Sequence, residues 1–432
     1  MAQKNATALM TTPASSSAAG ATSAAGGPSY RINSIDALRG FVMFMMIFVN
    51  DLSGAGRIVP DWMVHYSERH QRGSGMTFVD LVFPAFLFIV GLSLPIALGS
   101  QLKKGVPLWK ILRHILVRTL SLLLIGVLMV NESPDPARMG WSAPLWSTLM
   151  YLSSLCAFCD LAVGAGSGRL VSAGLRAVGF ASLVFLALAF VGPDGHRIVT
   201  LSPFSIHTDW WGILGLIGWA YLVGAIVFLV FRTNRTALLG CMVLLFCLYP
   251  AEQTGAFAGF WLNNFVGIGG TLGSQAAITV GGVLLATLLV AAEPSSERAR
   301  VRFTALFVAG TAAAAWLVNG LYGIWKNDAT PSWCLWACAI TATLWLLFHF
   351  VADVRPVAVI SRPLAVAGQN VLLAYLLSEM LPSALDLVHL GDWYGRLAEP
   401  NVYHAVIRSG CCGVAVLGAT VALNRAGLRL KL

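Results

Sequence analysis

Apolar runs of about 20 residues recur from one end of the chain to the other, each long enough to cross ~30 Å of hydrocarbon as a helix. FVMFMMIFV (41–49), the apolar centre of the first, and LVFPAFLFIVGLSLPIAL (81–98), in the second, mark where they begin. Lipid offers no partner for a backbone N–H or C=O, so such segments must satisfy their own hydrogen bonds. Composition agrees: 57% of the 432 residues are hydrophobic, 11% are charged and the mean hydropathy is +0.75. A soluble domain carries about 25% charged residues. The expected fold is therefore all-α, a polytopic transmembrane helix bundle of about 10–12 spans. We place candidates at 36–52, 77–99, 111–131, 144–163, 173–192, 210–231, 236–250, 275–292, 302–322, 333–352, 364–382 and 402–423.

Residues 1–30 differ. They are rich in Ala, Ser, Thr and Gly, with no apolar centre, and are expected to form a disordered tail ahead of one membrane domain at 31–432. They lack the basic-then-apolar layout of a secretory signal, so the first apolar run is expected to act as an uncleaved insertion signal. The formal net charge of +9 is unevenly spread. Lys103, Lys104, Lys110, Arg113, Arg118, Arg232, Arg235, Arg298, Arg300 and Arg302 fall in loops that share a side with the N-terminus. This positive-inside pattern puts both termini in the cytoplasm. The basic excess is a topology signal, and no nucleic-acid partner is expected. The eight cysteines lie in apolar runs without histidines at zinc spacing, which predicts buried packing thiols and no metal. The glycines of WGILGLIGWAYLVG (Gly212, Gly215, Gly218, Gly224) suit close helix packing and would permit a homodimer.

Charge inside a span is costly and marks function by default. Asp36, Arg39, Asp80 and Glu379 qualify, although Asp36 and Arg39, three apart, can pair with each other. Asn50 and Asp51 end the first span at the depth where Asp80 opens the second. The loop between carries HQRGSGMTFVD, with His70 ten residues before Asp80. A carboxylate facing one imidazole nitrogen fixes the tautomer and makes the other a better base. Gly73 and Gly75 would let the loop fold back so that His70 meets Asp80, and Asn50 could hold a developing oxyanion. On spacing alone, His65 is as eligible as His70.

LRGFVMFMMIFVND followed by HQRGSGMTFVDLVFPAFLFIVGLSLPIAL resembles the signature region of the heparan-alpha-glucosaminide N-acetyltransferase family and its bacterial relatives. TPSWCLWACAI and GQNVLLAYLLSEM resemble later segments of the same family, in the same order. The resemblance implies transfer of an acetyl group from acetyl-CoA on the cytoplasmic side to a glucosamine amine on the far side. It assigns the catalytic histidine to His70, with Asp80 and Asn50 as its companions and Arg39 as the arginine of the leading RG. Asn370 and Glu379 match the asparagine and glutamate of the late segment. The resemblance puts Ser378 where the lysosomal enzyme has a histidine just before that glutamate, and no counterpart of that enzyme's large lumenal N-terminal domain is expected in this sequence.

The function expected is a multi-pass acyltransferase, in a bacterial inner membrane among its lipids, with acetyl-CoA as donor and an amino sugar or cell-envelope glycan as acceptor. Arg39, Lys104, Arg113 and Arg118 are the candidate phosphate contacts. Asn370, Glu379 and Asp51 are the candidate acceptor contacts. His70 would act as general base or as an acetyl-carrying nucleophile. The alternative is a secondary transporter of a sugar, lipid-linked glycan or small acid, which intramembrane carboxylates would also serve.

Overall fold

A computed structural model describes residues 32–70, 73–131, 134–161, 167–202, 204–208, 210–290 and 296–431. The tail expected at 1–30 lies outside the described residues. In chain order the helices are α1 (Asn33–Ser53), α2 (Tyr66–Arg69), α3 (Val82–Lys103), α4 (Leu108–Val130), α5 (Pro136–Met139), α6 (Ala143–Ala157), α7 (Ser167–Ala189) and α8 (Gly212–Phe231). They continue with α9 (Arg235–Gln253), α10 (Ala276–Val290), α11 (Glu297–Tyr322), α12 (Pro331–His349), α13 (Ala358–Ala367), α14 (Val371–Leu387), α15 (Gly391–Arg396) and α16 (Val402–Arg425). Strand β1 (Cys159–Leu161) pairs antiparallel with β4 (Leu428–Leu430), and β2 (Val199–Leu201) pairs with β3 (Phe204–Ile206). The chain is an all-α, multi-pass membrane protein.

Among the described residues, ten helical segments are long and apolar enough to cross a membrane. Two of the twelve expected spans fall short of that test. Helix α1 has the length but carries Asp36, Arg39 and Asp51, and α6 stops after 15 residues. The span expected at 364–382 is a broken helix: α13 ends at Ala367, a 3-10 turn covers Gly368–Asn370, and α14 resumes at Val371. Discontinuities of this kind occur at membrane depth where they line a cavity.

Helices α3 and α10 form the centre. Every residue of α10 from Ala276 to Leu288 is buried, and Thr279 Oγ1 donates to the Leu87 carbonyl at 3.0 Å. Helix α1 packs against α13, α14 and α16. Its Gly40 faces α13 so closely that a Cβ there would sit 2.0 Å from the Leu364 carbonyl oxygen. Backbone contact of this kind drives helix association in lipid, where apolar burial offers little. It also seats Arg39 against the broken helix. The cysteines only partly follow expectation, because Cys159, Cys334 and Cys338 are buried while Cys247 and Cys411 are exposed on outward helix faces.

Candidate functional site

Helix α1 presents Arg39, Met43, Met46, Ile47 and Asn50 at intervals of three and four residues, hence along one face. The parallel helix α14 and the turn before it present Asn370, Val371, Leu372, Tyr375, Ser378 and Glu379 in the same way. Cavities line up along these faces. They begin beside Arg39 and end beside Asn50, about 16 Å further along α1 at 1.5 Å per residue.

The first cavity, about 480 Å³, is polar and lined by Arg39, Ser93, Gln101, Arg118, Gln369 and Asn370, with His114, Tyr221 and Lys431. Arg39 is anchored by donating to Asp36 Oδ1 (2.9 Å), Ser93 Oγ (2.8 Å) and the Gly368 carbonyl freed by the helix break (3.3 Å). The Arg118 guanidinium lies 4.9 Å over the Tyr221 ring, and its buried Nε has no hydrogen-bond partner. A cation held on an aromatic face keeps its remaining donors available for an anion. Lys431 pairs with Asp160 and holds that carboxyl below the usual carboxylate range.

A small apolar cavity of about 100 Å³ continues inward past Met43, Met46 and Tyr375. It shares Phe86, Val90, Arg118, Val371 and Leu372 with the first. The third, about 270 Å³, is polar again and lies beside Asn50, Asp51, Ser378, Glu379, Asp386 and Arg408. There Asn50 Nδ2 donates to Glu379 Oε1 at 2.8 Å. Asp51 accepts from Tyr394 (2.7 Å), Arg408 Nε (3.1 Å) and Ser409 Oγ (2.6 Å). Burial and the Asp51 carboxylate push the Tyr394 hydroxyl far above its ordinary pKa, so it stays a donor.

The loop after α1 leads to the histidines, and Ser53 Oγ reaches Glu68 Oε1 (3.4 Å) to tie the two. Asp80, with 1% of its side chain exposed, opens the following helix. T-F-V-D forms one half of a capping box: the Thr77 hydroxyl donates to the Val64 carbonyl, while Asp80 Oδ2 accepts the Thr77 N–H at 3.0 Å. The same oxygen accepts the Tyr66 N–H at 3.1 Å, and Oδ1 faces His65 Nδ1 at 2.7 Å. Lys326 Nζ lies 3.1 Å from Nδ1 and 3.2 Å from Nε2 of the same ring. Nδ1–H already points at Asp80, so Nε2 is the acceptor for the ammonium. Burial draws the Lys326 pKa below the usual lysine value, opposed by Asp80 and Glu68.

The structure thus corrects the pairing expected for Asp80: its histidine is His65. The loop does fold back at Gly73 (φ +136°) and Gly75, but Tyr66 fills the space, its ring so close that a Cβ on Gly75 would lie 2.4 Å from Cε2. His70 stacks on the Tyr66 ring, 4.2 Å between centroids and nearly parallel, and is exposed. Its Nδ1 faces the Tyr66 carbonyl at 3.2 Å. A carbonyl only accepts, so Nδ1 carries the proton and Nε2 keeps its lone pair. Asp80 is thus linked to His70 only through Tyr66, whose N–H it accepts.

Other expected residues are also redistributed. Asn370 lines the Arg39 cavity and donates to the Leu428 carbonyl (3.4 Å), so it does not share a cavity with Glu379. Asp51 is taken up in fastening α1 to α15 and α16. Lys104 and Arg113 are exposed and do not line the Arg39 cavity. Sequence reasoning missed Lys326, Tyr66, Tyr394 and Arg408. Only the T-x-x-D box, which commits Asp80 to a local cap, was available as a signal.

The fold and these cavities define an integral membrane protein with polar sites at both ends of one helix. Residues 31–161 match the family described as Domain of unknown function (DUF5009). Over 111 residues the chain is 32% identical to the Homo sapiens heparan-alpha-glucosaminide N-acetyltransferase and 33% identical to the Mus musculus protein of the same name. That stretch is 26% of this chain, and it spans only 15% and 16% of those two relatives. Homology to that N-acetyltransferase is thus established for a segment of the chain.

Proposed function

We propose that this protein is a transmembrane acyltransferase that takes an acetyl group from acetyl-CoA at the Arg39 end and delivers it to an amino sugar at the Asn50 end. The observation that carries the proposal is the placement of charged and polar side chains in the two end cavities along α1 and α14, with a nearly all-apolar cavity beside the first. The Arg39 end is cytoplasmic by the positive-inside pattern, where acetyl-CoA is available. Arg118 and Arg39 meet its phosphates, and the apolar middle admits its uncharged arm. Glu379 and Asp386 give the far cavity the acidic character that suits an amine.

His70 is the general base. The acceptor nitrogen attacks the thioester carbonyl, the C–N bond forms and the C–S bond breaks. Nε2 of His70 takes the amine proton and passes it to the departing CoA thiolate. Asn50, its amide held by Glu379, supplies a further N–H to the carbonyl oxygen as negative charge develops there. Purified protein supplied with acetyl-CoA and glucosamine tests this: CoA release that requires the sugar supports the reading. Saturable sugar uptake into vesicles without CoA release would replace it with the transporter.

A further inference from the structure

The polar cavity at Asn50 does not close on the side away from α1. Leu381, Tyr394, Arg408 and Cys412 line it and also line a much larger groove, about 720 Å³, between α14 and α16. That groove is walled by apolar side chains including Leu377, Met380, Ile407 and Ala415. On α16 it runs from His404 to Ala419, about 22 Å of helix. This is most of the ~30 Å thickness of a hydrocarbon core. Ile407 is 63% exposed, so the groove is open toward lipid at that level. Exposed Trp393 and Tyr403, near the His404 end, mark the level of the membrane interface.

Arg408 and Tyr394 are the polar members of the four side chains common to cavity and groove. The Arg408 guanidinium lies 4.8 Å over the Tyr394 ring, and both are held by Asp51. A polar chamber and a hydrocarbon-length channel therefore meet at a fixed edge. A free sugar has no use for the second compartment. A sugar on a hydrocarbon anchor fits both, and it could enter sideways from the bilayer. We propose, building on the acyltransferase reading, that the acceptor is a lipid-anchored amino sugar: the sugar occupies the cavity at Asn50 and Glu379, and its chain lies between α14 and α16. Lipid tails are as apolar as the groove, so the groove adds little affinity for the chain itself. Its contribution is to confine the headgroup beside the cavity at high effective concentration.

The test uses full-length protein in lipid nanodiscs and a dodecyl glucosaminide bearing a photoreactive group on its chain. Crosslinks are mapped by mass spectrometry with competition by unlabelled dodecyl glucosaminide or by dodecyl glucoside, which has the same chain without the amine. The proposal predicts crosslinks concentrated on 371–387 and 402–425, with the glucoside competing about tenfold less well than the amine. Even labelling of all lipid-facing helices, or equal competition by the two, means annular lipid only and overturns it. In turnover assays Ala415→Trp lowers the ratio of dodecyl glucosaminide to free glucosamine acetylation by about tenfold. An unchanged ratio also counts against the proposal. If neither acceptor is acetylated the acyltransferase reading fails, and the crosslinking pattern still decides what occupies the groove.

Discussion

Replacing His65 by alanine separates the two histidines. His65 makes a 2.7 Å contact with a carboxylate that is 1% exposed, and the half-buried Lys326 ammonium rests on the same ring. Hydrogen bonds to charged groups contribute about 1.5–3 kcal/mol, and an unpaired buried charge adds a desolvation cost. His65→Ala should therefore destabilise the protein by roughly 2–4 kcal/mol. His70 is exposed, with one 3.2 Å contact to a carbonyl and a stack on Tyr66, so His70→Ala should cost about 0.5–1 kcal/mol. Activity should divide the other way. Loss of a general base lowers kcat by about 10²–10⁴, whereas His65→Ala protein that remains folded at low temperature retains turnover. Thermal unfolding in detergent, followed by intrinsic fluorescence, and CoA release on the same samples measure both quantities. If His65→Ala abolishes turnover at unchanged Tm while His70→Ala turns over normally, the roles assigned here are reversed.

Three further outcomes follow from the same geometry. Arg118→Ala should weaken acetyl-CoA binding about tenfold, near 1.4 kcal/mol, whereas Lys104→Ala and Arg113→Ala should leave it unchanged by calorimetry. Gly75→Ala pushes a methyl into the Tyr66 ring and so displaces the stacked His70; kcat should fall while the acetyl-CoA Kd stays constant. Lys326 has a lower pKa in the fold than the 10.5 of a free lysine, so between those values the unfolded chain binds more protons. Stability from this group should accordingly rise with pH across that window, and Lys326→Met should flatten the rise in a Tm-against-pH series.

The membrane fold was legible because 20-residue apolar runs admit one solution in lipid. The spans that failed the length and composition test are those whose sequence serves something else: α1 gives up apolar character to Asp36, Arg39 and Asp51, and α6 ends early at β1. The candidate site was legible in residue type but not in grouping. Asn370 and Glu379 look like one patch in GQNVLLAYLLSEM, yet nine residues of helix separate them by about 13 Å and put them at opposite ends. His65 and His70 were indistinguishable because loop spacing says nothing about which ring folds inward. Tyr66 decides it, by packing against Gly73 and Gly75 and stacking on His70. Lys326 comes from a loop some 250 residues away, and no local pattern announces such a partner.

Transfer across the membrane is the most direct test of the account. Proteoliposomes are loaded with radiolabelled acetyl-CoA, an amino sugar is added outside, and protein oriented with its Arg39 end inward is selected by protease accessibility. The account predicts labelled N-acetyl sugar outside while CoA accumulates inside, with both lost in His70→Ala. Product that forms only when donor and acceptor share a compartment would contradict it.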